Sequence, residues 1–91
     1  MHAAFVTIRI DPERAPQAAA ALMDDVLPRL KAAPGFVGGH WMEPRDGDGL
    51  AVLLFATEDD AERGALAGLD GPVPGVTVRG VEIRRVAVSV P

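Results

Sequence analysis

Between Gly49 and Thr57 the chain reads Leu50-Ala51-Val52-Leu53-Leu54-Phe55-Ala56, an unbroken apolar run. A turn-rich stretch, Pro44-Arg45-Asp46-Gly47-Asp48-Gly49, precedes it, and Thr57-Glu58-Asp59-Asp60 follows with the signature of a helix start. An apolar run this short between such signals reads as a strand. Successive strand side chains point to opposite faces of the sheet, so this strand is apolar on both. Strands of that kind lie in sheets covered on both sides. The rest of the fold must therefore supply two covers.

The preceding segments yield one of them. Ala3 to Ile10 alternates as a strand, with Ala4, Val6, Ile8 and Ile10 on one face and Phe5, Thr7 and Arg9 on the other. Asp11-Pro12-Glu13 opens a helix, with a capping carboxylate, a proline suited to the first helical position and an acid at the positive end of the dipole. The helix is expected to run to about Ala33 and to bury a stripe of Ala19, Leu22, Met23, Val26, Leu27 and Leu30. Pro28 should kink it or open a separate last turn, because proline donates no hydrogen bond and crowds the carbonyl of Asp24. Pro34-Gly35 ends the helix.

Phe36 to Glu43 is a second strand, in which Gly38 and Gly39 predict a bulge or the close approach of another group. After the third strand, Leu50 to Ala56, Thr57 caps a short second helix ending near Gly68 or Gly71. Gly64 inside that helix costs about 1 kcal/mol relative to alanine. Asp70 to Gly75 is a loop. Val76 to Val90 is strand-like but changes phase, which predicts breaks near Gly80 and again near Arg84-Arg85.

The order βαββαβ implies one α+β domain over residues 1–91, a ferredoxin-like four-stranded antiparallel sheet backed by two helices. Two helices cover one face only. The other would expose Phe5 with Ala51, Leu53 and Phe55, or their opposite-parity neighbours. Monomers rarely leave apolar patches of more than a few hundred Å² in water. The simplest second cover is another copy of the same sheet, so a homodimer through the sheet face is expected. The chain's 91 residues include no cysteine, and no disulfide can supplement its small core.

Composition excludes some functions. Thirteen acids against 9 bases give a formal charge of −4, which argues against a nucleic-acid surface and gives no reason for binding to an anionic membrane. No apolar run is long enough for a transmembrane helix, and Met1-His2-Ala3-Ala4-Phe5 lacks the charged and apolar regions of a signal peptide. A cytoplasmic location is expected.

Few residues offer chemistry. His40 is the only internal histidine and the candidate for acid–base catalysis. Trp41 could stack on a flat ligand, Phe5 could border it, and Glu43 shares the parity of Trp41. Arg9, Arg84 and Arg85 lie in strands and could hold a carboxylate or an enolate, and Arg9 is the candidate ligand contact among them. Ser89 is the only serine. Two separated histidines and no thiolate make no metal site. No glycine-rich loop leads from a strand into a helix. No metal and no cofactor are expected.

Pro34-Gly35-Phe36-Val37-Gly38-Gly39-His40-Trp41-Met42-Glu43, the apolar third strand and the helix start Thr57-Glu58-Asp59-Asp60-Ala61 together resemble the antibiotic biosynthesis monooxygenase-like family of dimeric α+β barrels. In that family a Pro-Gly-Phe turn joins the first helix to the second strand. The resemblance implies two sheets packed face to face across a dimer, with any ligand pocket between sheet and helices. Haem-degrading members share an Asn, Trp and His set, and cofactor-free quinone-oxidising members an Asn, Trp and Tyr set. This chain has neither Asn nor Tyr, so neither set can be assembled. His40 and Trp41 are adjacent on one strand and should face opposite sides. The sequence thus points to a homodimeric barrel that binds a small hydrophobic or aromatic molecule. The alternative is a cofactor-independent monooxygenase or isomerase acting on an aromatic or polyketide-like substrate.

Overall fold

The computed structural model describes residues 1–68 and 73–90. The apolar run lies in β3 (Asp48–Phe55), an interior strand between β2 (Phe36–Trp41) and β1 (His2–Ile10). β4 (Val76–Arg85) pairs with the far side of β1, giving the order β2-β3-β1-β4 with every pairing antiparallel. The sheet is therefore the ferredoxin-like arrangement expected.

Its two faces separate by parity. Ala4 and Val6 of β1 and Ala51, Leu53 and Phe55 of β3 are buried beneath the helices. Phe5 pairs with Val52, Thr7 with Leu50 and Ala3 with Leu54, and these residues share the opposite face. The uncovered side combines Phe5 with Leu50, Val52 and Leu54, so the expected grouping of Phe5 with Ala51, Leu53 and Phe55 does not hold: the β1–β3 register sets Phe5 across from Val52.

The first helical segment follows a 3-10 turn, Pro12–Arg14, whose start is capped by Asp11: its Oδ1 accepts from the Glu13 amide at 3.1 Å. It comprises α1 (Ala15–Ala21), a wide π turn at Leu22–Val26, and α2 (Leu27–Ala32). The wide turn explains a departure from the expected stripe. The inward residues are Ala18, Leu22, Val26 and Leu30, spaced by four. Each such step overshoots the 3.6-residue turn of an α-helix. The π turn, in which the Leu27 amide donates to the Leu22 carbonyl, takes up the excess. Met23, one place along from Leu22, swings outward and is 63% exposed, and Ala19 is exposed at the edge of the covered face. Pro28 sits in the first turn of α2, where a missing N–H is tolerated.

α3 (Glu58–Gly68) starts as expected, with the Thr57 hydroxyl accepting from the Asp60 amide at 3.1 Å. The alternative helix end at Gly71 and the loop predicted at Asp70 to Pro72 lie outside the described residues. β2 stops at Trp41, short of Glu43, and its register shifts between Phe36 and Gly38. In the β1–β4 ladder Thr7 faces Gly80 and Ile8 faces Val78, so the first expected break in β4 is a bulge at Arg79. The second is the end of the strand at Arg85, after which the Val86 amide donates to the Met1 carbonyl at 2.9 Å.

Phe55 and Leu30 are the largest side chains sealed from solvent. Phe55 meets Phe36 edge-on, with ring centroids 5.5 Å apart. Gly64 of α3 lies directly over the Phe55 ring, and a Cβ there would clash with its Cε1 and Cζ. The glycine that weakens the helix is what lets α3 close onto the sheet. Gly64→Ala should therefore lower stability by about 1–3 kcal/mol in chemical denaturation, because overpacking outweighs the gain in helix propensity. A more stable variant would contradict this packing.

Candidate functional site

α2 and α3 pack on the sheet, whereas α1 stands off it. The reason is the size of the facing side chains. α1 presents Ala15, Ala18 and Ala19, and β3 presents Gly49 and Ala51. Small residues on both walls leave the layers unfilled, and a cavity of about 350 Å³ remains. Val6, Ile8 and Ile10 of β1, with Leu53 of β3, form its floor; Val26, Leu30 and Ala65 border it on the helical side. Ala15, Ala19, Met42 and Pro44 line it and are also exposed, so the cavity opens between α1 and the β2–β3 connection. Natural ligand pockets run from about 300 to 1,000 Å³, which places this one at the small end.

Trp41 is the one aromatic residue among the described residues of the lining. A Cβ on Gly39, two residues back on the same face, would lie 3.3 Å from Trp41 Cη2 and 3.1 Å from Leu53 Cδ2. The missing side chain thus lets the indole lie back along its own strand. This is the close approach that the paired glycines predicted. The bulge is separate, at Val37.

The structure brings only Trp41, of the five candidate residues, to the cavity. His40 pairs with Val52 on the opposite face and is exposed. Phe5 flanks Val52 from the other side. Because the bulge lies upstream of His40, it does not bring His40 and Trp41 together. Arg9 is also on the open face and holds the hairpin: Nη1 donates to the Asp46 carbonyl at 2.6 Å and to Asp48 Oδ1 at 3.1 Å. Arg84 is paired with Glu82, at 2.6 Å from its Nη2. Glu43 lies exposed beyond β2. A second depression, bordered by Arg9, Asp11, Arg14 and Thr77, adjoins the cavity and shares Ile10, Val73 and Val76 with it. Among the described residues no three His, Asp or Glu side chains gather as metal ligands would. None of the helices described is long and apolar enough to cross a membrane.

Sequence reasoning missed the alanine wall of α1. The signal was present in Gln17-Ala18-Ala19-Ala20-Ala21, a helix face too small to fill the space above a sheet, but an alanine run reads first as helix propensity.

The architecture defines a class, the ferredoxin-like α+β fold of the dimeric barrel proteins. No protein-family model matches the sequence, and no curated protein does. Solved structures do match in fold. The heme degrader MhuD from Mycobacterium tuberculosis, solved with two hemes bound in its active site, superposes with a TM-score of 0.75 at 16% identity over 100% of both chains. SnoaB, a cofactor-independent oxygenase from Streptomyces nogalater, gives 0.70 at 16% identity over 99% of this chain and 97% of its own. A protein of unknown function from Nitrosomonas europaea gives 0.59 at 20% identity over 99% and 93%. MhuD and SnoaB are antibiotic biosynthesis monooxygenase proteins, so the resemblance seen in the sequence is matched in the fold.

Trp41 borders empty space and Phe55 does not. Phe55→Ala should cost about 3–5 kcal/mol of unfolding free energy, and Trp41→Ala less than half of that. Equal losses in denaturant titrations would make Trp41 an ordinary core residue rather than a pocket wall.

Proposed function

We propose that this chain is a homodimeric barrel protein that binds a small hydrophobic or aromatic molecule between its sheet and helices, with Trp41 against the ligand. The observation that carries the reading is the lining: a cavity of about 350 Å³ whose described side chains are uncharged and, apart from the indole N–H of Trp41, apolar. Water in an apolar pocket finds few hydrogen-bond partners, so an apolar guest displaces it favourably. Burying apolar surface yields roughly 25 cal/mol per Å². Ala18, sealed under α1, projects into this space. Ala18→Leu should fill it. N-Phenyl-1-naphthylamine, a neutral fluorophore, should bind the parent protein at one site per chain and lose at least about tenfold in affinity for the variant. Unchanged affinity would remove the cavity as the site.

The dimer is supported by the other face. Phe5, Val52 and Leu54 are only partly covered there, and Leu50 is 37% exposed. Around this apolar centre lie His40 on β2 and the Glu82–Arg84 pair on β4, the arrangement of a polar rim about an apolar middle. Val52 occupies the centre, between Phe5 and His40 in register. In sedimentation velocity the parent chain should run as a dimer and Val52→Glu as a monomer. A monomeric parent at micromolar concentration overturns this part of the proposal. A cytoplasmic location accompanies it.

A second reading, a cofactor-independent monooxygenase or isomerase, has the fold of SnoaB in its favour. Among the described residues the cavity wall offers it no acid or base: His40, its candidate catalyst, lies across the sheet. A binder fits the lining better.

A further inference from the structure

We infer that the cavity selects for charge as well as size: it takes neutral molecules carrying a hydrogen-bond acceptor and rejects ionised ones. The inference rests on the binding reading above. Among the described residues no Asp, Glu, Lys, Arg or His contributes to the lining. An ion taken into such a space loses its hydration and gains no counter-charge, which costs several kcal/mol even after relaxation. Arg9 is on the opposite face and already bound to Asp48 and the Asp46 carbonyl, and Arg14 borders the adjoining depression rather than the lining.

Among the described residues the indole N–H of Trp41 is the one side-chain N–H or O–H donor of the lining. It is a donor only. No hydrogen bond joins it to another described residue. A ligand carbonyl, ether or hydroxyl oxygen can accept from it, whereas a cation has nothing to accept with. The ligand class is thus a neutral molecule on the order of two or three fused rings in size, with an oxygen acceptor at one edge.

The test uses matched compounds and calorimetric titration of the intact protein. 2-Acetonaphthone is neutral with an acceptor, naphthalene lacks the acceptor, and 2-naphthoate has nearly the shape of the ketone but carries a negative charge at neutral pH. The ketone should bind at one site per chain and the carboxylate on the order of 100-fold more weakly. Trp41→Phe keeps a ring and removes the donor. It should weaken the ketone by about fivefold more than it weakens naphthalene. Equal affinity for ketone and carboxylate would overturn charge selection while leaving the cavity as a binding site. Equal losses of ketone and naphthalene in the variant would reduce Trp41 to a wall and overturn the acceptor requirement. If none of the three compounds bound, the cavity reading itself would fall, and this inference with it.

Discussion

One interior strand has to satisfy two environments at once. β3 places Ala51, Leu53 and Phe55 under the helices and Leu50, Val52 and Leu54 on the bare side of the sheet. A one-residue slip in its register would exchange the two sets. The pairing with β1 therefore decides both what fills the core and what is left outside. Phe55 secures that choice on the covered side, seated beneath Gly64 and against Phe36. The same parity assigns Trp41 to the covered side and His40 to the bare one.

The covered side is filled unevenly. Around Phe55 and Leu30 the layers meet closely. Toward the other end, alanines of α1 face Gly49 and Ala51, and nothing spans the gap. Protein interiors normally pack to crystal-like density, so a void lined by apolar side chains loses dispersion contacts that larger residues would make. The cavity thus carries a stability cost in a domain with little core to spare, which a bound apolar molecule would offset.

Much of the architecture was legible in the residues. The alternation of β1, the Asp11 and Thr57 caps and the bulge in β4 each follow from a local rule. Those rules act within a few residues and owe little to distant contacts. The helix stripe was misread at Met23 because a 3.6-residue period was imposed on a segment spaced by four, with a π turn absorbing the difference. The site was less legible. Trp41 was found because a large ring in a strand beside paired glycines is conspicuous. Arg9, Phe5, His40 and Glu43 were grouped with it by chemistry, and sheet parity separates the first three from it while Glu43 lies past the strand end. The cavity escaped notice because a pocket made by small side chains leaves no distinctive residue to recognise.

The position of β1 also governs how this chain reaches its native state. The earliest strand is an interior one, bracketed by β3 and by β4, so Val6 meets Val81 as well as Ala51. During synthesis the segments up to Phe55 can associate as they emerge, but one edge of β1 stays unsatisfied until Val76 to Arg85 is available. Long-range pairings of this kind raise contact order and slow folding. In the interval the nascent chain presents an open edge that a chaperone, or a neighbouring copy, can engage.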